Sequence, residues 1–207
     1  QEYKMSSENL DFTSKIMAWC QDNLKYLIIG ALIGLIIPLS WNYYKHLRIT
    51  ENLVASDLYG ELVNLIDSQE DYKNIESKIS SEHENSIYEV LSKFILSKQE
   101  FENNDYQAAK KYLEDIISID INVTYNSLAK IKISVINIQE KKYDDALSIL
   151  DNIELKDSFK QVIFELKGDI YKYQGDIEKS LDFYNKAIEA SAIDNENLLM
   201  KKNSVKN

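Results

Sequence analysis

The chain has 207 residues, with one proline, five glycines and one cysteine, a composition that argues against a turn-rich β fold and for long helices. Residues 1–45 carry four basic and four acidic side chains, so all of the net charge of −10 lies beyond them. So acidic a remainder is repelled by phosphate backbones and argues against nucleic acid as a partner; the excess serves to keep a domain soluble.

In chain order, residues 1–25 read as a short tail, with Met5 as an alternative start. Cys20 lies in that tail, so the rest of the chain has neither disulfide nor thiolate–metal chemistry to draw on. From Tyr26 to Tyr44 no residue carries a formal charge, and Lys25 and Lys45 bracket the run. As a helix this segment is roughly 28 Å long, close to the hydrocarbon thickness of a bilayer. Tyr26 marks one end and Trp41, Tyr43 and Tyr44 the other, as interfacial aromatic belts do. A buried core helix would show a polar stripe, and none precedes Ser40. A cleaved signal peptide would end in small residues, whereas this run ends in Ser40-Trp41-Asn42-Tyr43-Tyr44. Residues 26–44 are therefore expected to be a signal-anchor that crosses the lipid bilayer. Lys15 and Lys25 on one side balance Lys45 and Arg48 on the other, so charge leaves the orientation open. Gly30 and Gly34 form a small-xxx-small pair, a candidate contact for another membrane helix.

Beyond the anchor, no helix breaker appears before about Ser68, so the membrane helix is expected to run on into the domain that follows. Residues 52–80 read as a degenerate opening hairpin. Residues 103–117, 140–154 and 174–188 then share one register. Tyr106, Tyr143 and Ile177 align, as do Ala109, Ala146 and Ser180, and Leu113, Leu150 and Tyr184. The second step is 34 residues, the tetratricopeptide period. In the last copy Phe164, Gly168, Tyr171, Ser180, Tyr184 and Ala187 fill the alternating aromatic and small positions of that repeat, with Gly175-Asp176 at the turn. Small residues let paired helices cross closely, and large ones fill the space between repeats. The expected architecture is all-α: a tail (1–25), a transmembrane helix (26–44) and a tetratricopeptide-like solenoid (46–207). Its repeats fall near 88–117, 127–154 and 161–190, and a capping helix surrounds Leu198 to Met200.

The order of these parts resembles the YfgM-like family, the ancillary SecYEG translocon subunits of bacterial inner membranes. The residues that carry the resemblance are Gly30–Gly34, Trp41–Tyr59, Tyr88–Phe101 and Glu165–Ala190. The resemblance implies a cytoplasmic N-terminus with the repeats in the periplasm. It also implies contact with the SecYEG translocon and with PpiD, a membrane-anchored periplasmic chaperone, and a role in handing over translocating or unfolded clients. It offers no catalytic residues to carry over.

The residues themselves point the same way. No glycine-rich phosphate loop is present, and Gly168 to Gly175 lacks a following Lys-Ser or Lys-Thr. His46 and His83 have no metal-ligand spacing to another His or Cys and are expected to be solvated. No enzyme activity, cofactor or metal is expected. The strongest candidate for partner binding is an apolar groove of Leu91, Phe94, Leu128, Ile131, Val135 and Ile138. The last four form one stripe on a helix whose Ala129, Ile133 and Ile136 are expected to face the core. An equally weighted expectation is that another helix of the domain covers this stripe. Two other functions fit the same parts: an anchored regulator that sequesters a stress-response signalling protein, and a cytoplasm-facing tetratricopeptide receptor.

Overall fold

The computed structural model describes residues 7–154, 157–191 and 195–205, with side chains from residue 12 onward; Met5 lies outside them. All regular structure among the described residues is helical. The chain divides into two units, residues 1–54 and 55–207.

The first unit holds α1 (Ser7–Asp22) and most of α2 (Leu24–Asp67), a helix of 44 residues with Pro38 inside it. α2 is long and apolar enough to cross a membrane, and none of its most apolar stretch is buried. No Cβ-sized obstacle lies within 4 Å of Gly30 or Gly34. At the rim of the apolar run Lys25 sits over the Tyr26 ring, 4.8 Å from its centroid.

The second unit is a row of antiparallel hairpins: α3 (Lys73–Glu82), α4 (Ile87–Glu102), α5 (Tyr106–Ile119), α6 (Val123–Gln139), α7 (Tyr143–Asp151), α8 (Lys160–Gln174), α9 (Ile177–Glu189) and α10 (Glu196–Asn203). Four apolar clusters run along it. Leu62 and Ile66 meet Ile75, Ile79 and Leu96; Val90, Leu113 and Ile116 meet Ala129, Ile133 and Ile136. Ile131 meets Leu150, Ile163 and Ile170, and Tyr184 meets Ala187, Leu198 and Val205. Successive clusters share helices, so each hairpin buries its apolar surface only by stacking on its neighbours.

The sequence sets the ends of these helices. Ser86 accepts a hydrogen bond from the Glu89 amide at 3.1 Å, while the Glu89 carboxylate accepts one from the Asn85 amide at 2.8 Å, a close variant of the capping box that starts α4. α6 begins at Val123 because Asn122 caps it, accepting from the Thr124 amide at 2.7 Å. The three turns inside the repeats share one geometry. Asn104, Lys141 and Gly175 each adopt a left-handed conformation, with φ of 64°, 61° and 79°, immediately before the next helix starts. Gly175 alone takes it without steric cost. Asp105 and Asp176 then cap α5 and α9, whereas Lys142 supplies no side-chain cap to α7.

At the crossing of each outer hairpin a serine ties the two helices together. Ser97 donates to the Ala109 carbonyl and Ser180 to the Gly168 carbonyl, both at 2.9 Å. Gly168 is required by this close approach, since a Cβ there would stand 2.8 Å from the Tyr184 ring. Gly168→Ala is therefore expected to destabilise the domain by about 1–3 kcal/mol through overpacking, read as a lower denaturation midpoint in urea. An unchanged midpoint would mean that α8 and α9 slide apart at little cost.

Candidate functional site

α6 is apolar around most of its circumference because it is the shared helix of two clusters. Ala129, Ile133 and Ile136 face α4 and α5, as the register predicts. Ile131 departs from expectation. It is 5 % exposed and packs among Leu150, Ile163 and Ile170, so it belongs to the core and not to a groove. The physical reason is the next repeat, whose α8 lies against that side of α6.

The other five groove residues are half-buried. Phe94 leans on Tyr125, with ring centroids 6.4 Å apart, and Ile138 packs against the cluster that holds Ile131. Leu91 and Leu128 are neither core nor freely exposed. Val135 lines a real opening, an apolar cleft of about 160 Å³ between α4 and α6. Its walls are Ser97, Lys98 and Phe101 from α4, Leu113 from α5, and Lys132, Val135 and Ile136 from α6. An apolar cavity of about 150 Å³ is enough to take up a benzene-sized group. Lys98 and Lys132 are exposed at its rim. Lys98 pairs loosely with Glu102 at 3.6 Å, and Lys132 has no ion-pair partner among the described residues. The cleft thus offers one apolar side chain a place to bury, with positive charge beside it in a domain that is otherwise strongly acidic.

Lys98, Phe101, Leu113 and Lys132 were not legible as cleft residues. Leu113 stood out only as a position of the repeat register, and nothing in the sequence marks the other three. Their convergence depends on how α4 meets α6.

The repeat-packing residues of the last copy gather where α8 crosses α9. Tyr171 stacks on Phe183 at 5.3 Å, and Phe164 lies 6.1 Å from the same ring. Gly168, Ser180, Tyr184 and Ala187 are buried. The Tyr184 hydroxyl donates to Asp169 at 2.6 Å, and Lys201 from α10 bridges Asp169 and Glu165 at 2.7 Å each. Burial and then the hydrogen bond to Asp169 push the Tyr184 phenol well above its ordinary value. α10 thereby closes the last hairpin with a charged clamp as well as with Leu198.

No group of three or more His, Cys, Asp or Glu side chains among the described residues is placed to hold a metal ion. His83 corrects one expectation. It is half-buried with Nε2 enclosed and unpartnered, because it sits at the C-terminal end of α3, its amide bonded to the Ile79 carbonyl. His46 is exposed on α2.

Comparison with known proteins places this architecture. A tetratricopeptide repeat-like domain model matches residues 17–207. Among curated relatives, the ancillary SecYEG translocon subunit of Neisseria gonorrhoeae is 26% identical over 89% of this chain and 95% of its own length. That of Buchnera aphidicola subsp. Schizaphis graminum is 30% identical over 72% of this chain and 77% of its own. That of Escherichia coli K12 is 21% identical over 84% and 82%. With one long apolar helix ahead of stacked hairpins that share a repeat register, the chain belongs to the tetratricopeptide repeat-like domain family, in its YfgM-like group.

Proposed function

We propose that this chain is a membrane-anchored, non-enzymatic subunit of the SecYEG translocon that receives translocating or unfolded envelope proteins in the periplasm. α2 crosses the inner membrane through residues 26–44, with the N-terminus cytoplasmic. The solenoid of residues 46–207 then stands where clients emerge, beside a PpiD-like chaperone to which it passes them. The relatives' shared name and the anchor helix support the location. Gly30 and Gly34, open on α2, offer a close approach to a membrane helix of the translocon.

The observation that carries protein binding is the cleft between α4 and α6. It can bury one apolar side chain of an extended or helical client segment, while Lys98 and Lys132 attract a neighbouring carboxylate. Val135 is the residue to test, because it lines the cleft and is only half-buried. A photocrosslinking side chain at position 135 is expected to capture translocating proteins in native membranes. Competition by a purified client in detergent should weaken about tenfold in Val135→Asp, since the complex would bury an unpaired charge. Undiminished binding by a folded Val135→Asp variant would remove the cleft from the function. A phosphatase fusion after Asn207 that is inactive would place the repeats in the cytoplasm and favour the receptor reading. Co-purification of one signalling protein without SecYEG would favour the regulator.

A further inference from the structure

The proposed anchor does not account for the stretch of α2 that follows it. Residues 45–54 carry the helix roughly 15 Å beyond Tyr44. Leu47, Ile49, Leu53 and Val54 are 45–60% exposed there. Ser40, Tyr43, Leu47, Thr50 and Val54 recur at alternating steps of three and four, the spacing of a seam between two parallel helices. Lys45, Arg48 and Asn52 fall on the side away from that seam, with Glu51 at its flank. Arg48 is held within its own helix: its Nε donates to the Tyr44 hydroxyl at 2.9 Å, and it pairs with Glu51 at 3.9 Å. The Thr50 hydroxyl donates to the His46 carbonyl at 3.0 Å, so a seam can close over Thr50 without orphaning a donor. From Ala55 onward α2 buries a different side, made of Ala55, Leu62 and Ile66, in line with Arg48. The apolar seam of residues 47–54 is thus left without a cover.

We propose that this seam pairs in parallel with the same seam of a second copy of the chain. The anchor itself selects that partner. Every copy crosses the bilayer in the same direction and to the same depth, so Leu47 emerges level with Leu47 and Val54 level with Val54. Such a face is self-complementary and closes around a twofold axis along the membrane normal. The next two positions of the seam are Asp57 and Glu61, where like charges would meet across the axis, so the pairing stops within about a turn of Val54. Arg48 and Glu51 cancel, so the net charge of −10 also lies wholly beyond Val54, and the two repeat domains repel each other. Leu47, Thr50, Leu53 and Val54 of two copies bury far less than the about 1,200 Å² at which interfaces between soluble proteins begin to hold. The contact therefore depends on the bilayer, which confines the copies to one plane and one orientation before they meet. This inference rests on the reading of α2 as a membrane anchor.

Cys20 is the chain's one cysteine, so Cys20→Ser gives a background in which a single introduced thiol reports one position. Full-length variants Leu47→Cys, Thr50→Cys and Val54→Cys probe the seam, and Lys45→Cys, Arg48→Cys and Asn52→Cys probe the side away from it. Each is reconstituted alone in phosphatidylcholine vesicles, oxidised with copper phenanthroline and run on a non-reducing gel, with alkaline extraction of the same vesicles in parallel. Thiols whose Cα atoms stand more than about 7 Å apart cannot be bridged without backbone movement. The expected result is a disulfide-linked homodimer at positions 47, 50 and 54 and its loss at 45, 48 and 52. Adding Val54→Lys to Thr50→Cys should abolish the homodimer, because two ammonium groups would meet in the seam, whereas Val54→Ile should retain it. Equal linking at all six positions reports random collision and overturns the pairing. No linking in protein that resists alkaline extraction overturns it too, while the anchor stands. In native membranes, linking at 47, 50 and 54 to another protein in place of a second copy gives the seam to that protein and overturns the pairing. Release of the protein by alkali overturns the anchor, and this inference with it.

Discussion

Ile131→Asp is expected to lower the stability of the repeat domain by about 4 kcal/mol, a large share of what a domain of this size possesses. Ile131 is enclosed by Leu150, Ile163 and Ile170, so the aspartate would place a carboxylate among branched aliphatic side chains. Two losses add: the apolar burial of the isoleucine, and the desolvation of the carboxylate. Because the cluster joins α6 and α7 to α8, the damage is to the stacking of two repeats. Thermal and urea unfolding of residues 46–207, followed by circular dichroism, is the measurement. A midpoint near that of the parent would show that Ile131 faces solvent and would return it to the groove. Val135→Asp, one helical turn further along α6 and half-buried, is the contrasting variant and should melt close to the parent.

Tyr184→Ala is expected to cost about 3–5 kcal/mol. Its ring is fully buried, it fills the space opposite Gly168, and its hydroxyl is one of the groups that hold Asp169. Removing it leaves a ring-sized void between α8 and α9 and unseats the cluster with Ala187, Leu198 and Val205, which keeps α10 in place. Tyr184→Phe separates the two contributions. It keeps the ring and removes one hydrogen bond to a carboxylate that Lys201 still neutralises, so about 1.5 kcal/mol is expected from it. Hydrogen exchange is the sharper readout, because α10 amides in Tyr184→Ala should lose protection before those of α4 and α5. Equal losses for the alanine and phenylalanine variants would show that the hydrogen bond, and not the packing of the ring, holds this end of the solenoid.

The sequence by itself determined the fold class, the apolar run, the end of the long helix near Ser68 and the shared register of the repeats. Each of these is a periodic or cumulative property, which many residues report together. Local signals were legible only where the chemistry is special to one residue type. Gly175-Asp176 announces its turn because glycine takes a left-handed φ without strain; Asn104 is a weaker signal for the same conformation, and Lys141 adopts it with a side chain that does not mark it. Apolarity around most of α6 left open whether the helix is covered on all sides or keeps a free apolar face, and did not say which of its isoleucines the following repeat covers. That choice was made by α8, whose Ile163 and Ile170 come to rest on Ile131 and leave Val135 at the mouth of the cleft. The cleft brings Lys98 beside Lys132, 34 positions on, and the bridge joins Lys201 to Asp169 and Glu165, 32 and 36 positions back. Only the tertiary structure decided them, because pairing between repeats depends on the angle and offset at which rigid hairpins stack, and those follow from the volume of every side chain in the seam.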